Sequence, residues 1–300
     1  MTDSRWLPVL RAAFLATVLA FAWLGLRGRL DEVGAALRAT SPAGVAGALA
    51  LVLVGLSTTG LVWLRLMADL GARLPVREGL STFFVGQLGK YIPGSVWSIG
   101  AQAQLARRRA VPARTTVTAG LLFLGVHVVT AVLLGSTTLL LGRLSAPWPT
   151  WLSALALLGA AVTLLTALLR HTAVAAATLL LMAGAWSAYA GALVLLTPGR
   201  PWGDVVPLAG AFALAYAVGV VVIVAPAGVG ARETLFVLLL TPLLGVAPAT
   251  ALALLARVVH TVADGAVASA WWWAARRGDR PNARPVSSGR LERLAPEGDA

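Results

Sequence analysis

Gln87-Leu88-Gly89-Lys90-Tyr91-Ile92-Pro93-Gly94-Ser95-Val96-Trp97 is a glycine- and proline-broken stretch that holds the only lysine of an otherwise mostly apolar chain. Glycine and proline unwind a helix, and in lipid the freed amides and carbonyls are tolerated only where protein or enclosed water meets them. Such a stretch therefore lines a cavity. An ammonium at that depth marks a functional site unless it snorkels to the headgroups, and the residues alone leave both readings of Lys90 open.

The surrounding sequence makes this a membrane question. Of the 300 residues 58% are hydrophobic and 12% charged, with mean hydropathy +0.83, which places the chain among multi-span membrane proteins. Apolar runs at 7–26, 43–64, 115–141, 151–169, 172–196, 205–224 and 247–273 each reach or approach the roughly 20 residues that cross a hydrocarbon core as helix. The first run lacks a small-residue cleavage site and a second span soon follows, so it is expected to be retained rather than cleaved. With no cysteine in the chain, disulfides and thiolate metal sites are excluded.

The formal charge of +12 invites a nucleic-acid partner, and the placement of the arginines argues against one. Arg65, Arg73 and Arg77 follow the second span, Arg107, Arg108, Arg109 and Arg114 precede the third, Arg170 lies between two spans, and Arg276, Arg277 and Arg280 follow the last. The positive-inside rule puts these loops, with Arg5 and both termini, in the cytoplasm of a plasma-membrane protein. Basic loops then flank 80–105 on both sides, so that segment is expected to enter and leave by one face as a re-entrant hairpin. The short stretch 234–245 must cross if Arg276 and Arg277 are to end inside. The expected fold is an all-α bundle of about eight crossings and one re-entrant element, over residues 1–273. Residues 274–300 change to Arg, Pro, Ser, Gly and acidic residues and read as a disordered basic tail. The loop 27–38 fits least, since it carries Arg27, Arg29 and Arg38 yet falls outside. Arg11, near the start of the first span, is expected to snorkel.

A second broken stretch, Ala225-Pro226-Ala227-Gly228-Val229-Gly230-Ala231-Arg232-Glu233, answers the first from the other half of the chain. The order span, span, broken segment, span occurs in both halves, which reads either as an internal duplication with a site between the halves or as a chance division of a many-helix protein. Gly228 and Gly230 let the chain turn tightly, and a helix opening at Arg232 favours an anion through its free amides and dipole. Arg232 adds a planar grip on phosphate, with Glu233 placed to orient it or to answer Lys90; alternatively Arg232 and Glu233 are an ordinary interfacial charge pair. Gly228-Val229-Gly230 is no dinucleotide fingerprint, because no strand precedes it and Glu233 stands where a third glycine belongs.

In the first stretch Pro93 and Gly94 mark the apex, and Gln87 lies one helical turn before Lys90 on the same face. Gln102 and Gln104 add amides on the return leg, Ser95 extends the polar ladder, and Tyr91 and Trp97 offer surfaces to an acyl chain or to the interface. A third cluster, Arg257, His260 and Asp264, is spaced i, i+3, i+7 on one face of the last span. That face looks inward, with Arg257 and Asp264 partly neutralising one another, either as a cavity wall or as a polar seam between helices. His127, alone in an apolar span, reads as a helix-to-helix hydrogen bond. Three scattered histidines and few intramembrane carboxylates suggest no metal. Trp271, Trp272 and Trp273 form an interfacial belt before Arg276.

The run Gly89 to Trp97 followed by residues 107–111, and the run Pro226 to Glu233 followed by Arg257, resemble the lysylphosphatidylglycerol synthase transmembrane-domain family of flippase-like membrane proteins. The resemblance spans roughly residues 6–273 and maps onto Lys90, Pro93, Gly94, Pro226, Gly228, Gly230, Arg232, Glu233 and Arg257, with Ala227 where glycine is frequent. It implies a domain that translocates an aminoacylated phospholipid or a polyprenyl-linked sugar, with aminoacyl transfer performed by a soluble domain that this sequence lacks. Lipid aminoacylation by this polypeptide is therefore not expected. The function expected from sequence is binding, and with it translocation, of a phosphate-bearing lipid. Gln87, Lys90, Tyr91, Pro93, Gly94, Pro226, Gly228, Gly230, Arg232, Glu233, Arg257, His260 and Asp264 would form the site, with no cofactor, no catalytic residue, and a separately encoded synthase as a partner. The alternatives are a membrane-embedded lipid transferase, against which stands the lack of an aspartate pair, and a scaffold for that synthase.

Overall fold

The computed structural model describes residues 30–91, 97–170, 172–222, 228 and 230–278. The expected first span, Arg5, Arg11, the apex Pro93, Gly94 and Ser95, Pro226, and residues 279–300 lie outside them. The described chain is all-helical. Ten α-helices run in order: α1 Leu30–Ala39, α2 Pro42–Asp69, α3 Val76–Gln87, α4 Trp97–Arg107, α5 Ala113–Leu140, α6 Thr150–Arg170, α7 Thr172–Leu195, α8 Val205–Val221, α9 Ala231–Leu244 and α10 Val246–Gly278. Six of them, α2, α5, α6, α7, α8 and α10, are long and apolar enough to cross a membrane, and they match the six described apolar runs.

Local chemistry sets the boundaries. Ser41 caps α2 by accepting from the Gly44 amide at 3.0 Å, with Pro42 at the first helical position. Pro112 starts α5, and Gly245, at φ +84°, breaks the chain between α9 and α10. Within the spans, Ser57, Thr130, Thr138 and Thr241 return their hydroxyls to the carbonyl four residues back, which satisfies these polar groups inside their own helices. Small residues let the helices approach closely: Ala185, Ala192, Ala211, Ala213, Ala249, Ala256 and Ala263 are all buried. Among the described residues α6 packs chiefly on α5 and α7 and keeps most of its surface apolar and open.

Contacts along the helices fix their directions. Gly44 meets Leu195 and Gly55 meets Tyr189, so α2 and α7 are antiparallel; Gly135 meets Leu214 and Gly210 meets Thr138, so α5 and α8 are too. Phe212 faces Phe236 while Gly219 faces Arg232, which sets α9 antiparallel to α8. Arg200, before α8, donates to the Leu243 carbonyl at 2.7 Å and bridges Asp204, tying the far ends of α8 and α9 together. The turns bearing Arg73, Arg107 to Arg109, and Arg276 consequently gather at one end of the bundle, the basic end. Arg38, Arg143 and Arg200 lie at the other.

The segment 80–105 is a helical hairpin. α3 and α4, of 12 and 11 residues, are about 18 and 16 Å long, half of a roughly 30 Å hydrocarbon core. Glu78 at the start of α3 pairs with Arg109 just beyond α4, so both legs begin at the basic end. Near the tip a side chain on Gly89 would come within 2.9 Å of the Ser98 and Trp97 backbone, and Gly86 is covered by Gln102, so only glycine lets the legs close. Two expectations are corrected. Residues 30–39 form the short helix α1, whose Val33 packs on Ala247 and Ala251 of α10 while Asp31 and Glu32 stay exposed, rather than a loop. α10 continues to Gly278 instead of ending at residue 273, because the Arg276 and Arg277 guanidiniums stack on Trp272 and Trp273 at 3.9 and 3.2 Å and suit a helix C-terminus.

Candidate functional site

The hairpin tip carries its cation to the middle of α10. Lys90 lies in a four-residue 3-10 turn, Leu88–Tyr91, that closes α3. Its Nζ is 2.6 Å from Oδ2 of Asp264, and the Tyr91 hydroxyl donates to the same oxygen at 2.7 Å. Asp264 is 6% exposed, so a carboxylate there needs both partners. The snorkelling reading of Lys90 is thereby replaced by an internal ion pair.

The second broken stretch delivers a different arrangement. Gly228 and Gly230 have φ of +70° and +89°, a backbone region costly for any residue with a side chain. At Gly228 a Cβ would also lie 2.9 Å from the Gly219 Cα, so the turn presses directly against α8. Glu233 then accepts from the Gly230 amide at 2.7 Å, capping α9, while its other oxygen holds Arg257 of α10 at 3.1 Å. Glu233 answers Arg257 and not Lys90, and Asp264 answers Lys90 and not Arg257. Helix-face spacing pairs neighbours on one helix; in the bundle a carboxylate from a facing element stands closer to each cation.

Arg232 remains. Its guanidinium rests over the rings of Phe212 and Tyr216 on α8, 4.6 and 5.7 Å from their centres, and makes no ion pair or hydrogen bond to a described residue. Cation–π contact offsets part of the desolvation, by about 2 kcal/mol or more at a desolvated site, and leaves the five N–H donors without an acceptor among the described residues.

These groups line one cavity. It offers about 170 Å³ to the centres of water-sized spheres, roughly ten times what admits a single water. Gln87, Lys90 and Tyr91 come from the first broken stretch, Gly228 and Arg232 from the second, and Arg257, His260 and Asp264 from α10. Of the residues expected at the site, Gly230 and Glu233 stand behind this wall, Glu233 in a small side pocket with Arg232 and Arg257. Gln104 is exposed and contributes nothing.

Further lining residues carry weaker sequence signals. Ser98 and Gln102 stand on the hairpin's return leg, Thr59 on α2, His127 on α5, Tyr189 on α7, and Phe212 and Tyr216 on α8. A lone polar or aromatic residue in an apolar span is the signal that finds them. His127 does not bridge helices: its Nδ1 contacts the Phe123 carbonyl of its own helix at 3.3 Å, and its ring packs between Phe123 and Tyr216. Chemically, the cavity combines a free cationic fork, two pre-paired cations and an aromatic wall, a set suited to an anion with an apolar attachment. Comparison with protein-family models and with curated proteins finds no match for this chain.

Proposed function

We propose that this protein binds a phosphate-bearing lipid, a phospholipid or a polyprenyl-linked one, in the central cavity and moves its headgroup across the membrane. One observation carries the reading: among the described residues Arg232 faces a cavity between the two broken segments with no carboxylate paired to it, while Lys90 and Arg257 each have one. A planar guanidinium held on aromatic rings in this way is prepared for a bidentate phosphate. Arg200 shows the contrast, since at the far end of the bundle it is answered by Asp204.

The half-length hairpin and the glycine turn at Gly228 are the elements whose shifts would open the cavity to one face or the other. Under the positive-inside rule the basic end faces the cytoplasm of the plasma membrane. The helix pairings α2 with α10 and α5 with α8 are those that an internal duplication exchanges, which supports a site between two related halves. The resemblance to flippase-like domains points the same way and suggests a separate soluble synthase as partner. No ATP-binding motif is present in the sequence, so movement would be downhill or ion-coupled.

Native mass spectrometry of the gently purified protein tests the binding half. Wild type and the surface variant Arg143→Gln should retain an anionic lipid that Arg232→Gln loses. Identical, unselective lipids on all three would sink the site and leave a scaffold.

A further inference from the structure

We infer that the cavity's ligand is a phosphodiester whose headgroup offers hydroxyl donors and bears no positive charge. The inference rests on the lipid-site reading above and specifies its substrate class. Charge supplies the first half. Lys90, Arg232 and Arg257 face Asp264 and Glu233, and three cations less two carboxylates leave one positive charge. A phosphodiester, with one negative charge, balances that surplus. A further ammonium on the headgroup would restore it, and would find both carboxylates already engaged by Lys90, Tyr91, Arg257 and the Gly230 amide.

Unmet acceptors supply the second half. Gln102, 2% exposed, lines the cavity with its Oε1 lacking any hydrogen-bond partner. Its last side-chain torsion is soft, so a small rotation turns the amide to a ligand. His260 contacts the Ala256 carbonyl through Nδ1 at 2.8 Å, which places the neutral ring's proton on Nδ1 and leaves Nε2 an acceptor, buried and unpartnered. The Nδ1 contact of His127 assigns the same role to its Nε2. Buried polar atoms without partners are rare enough to require an explanation, and here two of them, Gln102 Oε1 and His260 Nε2, belong to residues lining one cavity. Phosphate oxygens cannot satisfy them; hydroxyl hydrogens can.

Two lipids of equal charge separate the halves of this argument: phosphatidylglycerol, with two headgroup hydroxyls, and phosphatidylmethanol, with none. Titrated onto the delipidated wild-type protein and read by native mass spectrometry, phosphatidylglycerol should bind tighter by roughly tenfold or more, since without hydroxyls the acceptors stay unpaired. Phosphatidylethanolamine should bind more weakly than either. Gln102→Leu and His260→Phe should lower phosphatidylglycerol binding more than phosphatidylmethanol binding and so shrink the gap. Equal binding of the two phosphodiesters, or preference for phosphatidylethanolamine, overturns this inference and leaves the anion site standing. Failure of wild type to bind any of them more tightly than Arg232→Gln overturns the lipid site itself. Glycerophosphoglycerol, the same headgroup without acyl chains, should not displace the lipid at equal concentration; displacement would make the ligand a soluble phosphodiester.

Discussion

Lys90 and Arg232 are both cations on broken backbone, and their surroundings give them different work. Lys90 is held by a carboxylate at 2.6 Å, whereas Arg232 has only ring faces. Lys90→Gln should therefore act mainly on stability. Removing one partner of a buried pair costs roughly 3–5 kcal/mol, and the 34% exposure of the Lys90 side chain puts this case at or below the lower end. Lys90→Met with Asp264→Leu should recover most of the loss, as read from thermal unfolding in detergent; a double variant less stable than Lys90→Gln would contradict the pairing. Arg232→Lys keeps the charge but loses the planar fork, so it should retain only part of the lipid that wild type retains. The sequence named all of these residues because charge within apolar runs is conspicuous. It paired them differently, Glu233 with Arg232 or Lys90 and Asp264 with Arg257, since reach across a bundle depends on helix placement that spacing along one helix does not encode. Gln102 and His260 were visible as polar residues, and their unmet atoms became evident only with the packing around them.

At the scale of elements, the hairpin and the glycine turn carry the functional geometry. Gly228→Ala places a Cβ where φ is +70° and the Gly219 backbone is 2.9 Å away, so it should destabilise by roughly 1–3 kcal/mol or displace the turn, measured by the unfolding midpoint. Ala substituted at Gly203, which has nothing nearby, should be close to neutral. The hairpin was legible because basic residues flank both its ends, and a full crossing would have put one set on the wrong side. The helix α1 was not legible, because ten residues with three charges resemble a loop until Val33 finds Ala247 and Ala251. The absence of native cysteine makes the topology directly measurable. Single cysteines at Arg73 and Arg108 should label from one face of the membrane, and those at Arg143 and Arg38 from the other. Labelling of Arg73 and Arg108 from opposite faces would make 80–105 a crossing and undo the hairpin.

Across the whole molecule, two broken segments distant in sequence meet at one cavity against a helix of 33 residues that spans the bundle. The apolar runs specified the six described long helices to within five residues at each end, since a run of some 20 apolar residues has few alternatives to a spanning helix. Their mutual arrangement follows from small-residue contacts such as Gly135 with Leu214, which composition does not reveal. If the protein works as proposed, this cavity passes a lipid headgroup from one leaflet to the other. Proteoliposomes containing tail-labelled fluorescent phosphatidylglycerol, with a membrane-impermeant quencher outside, test it directly. Wild type should let the quencher reach well beyond the outer-leaflet half of the fluorescence, with or without an imposed proton or sodium gradient, while Arg232→Gln stays near the protein-free level. Wild type indistinguishable from protein-free vesicles under every gradient would contradict the account.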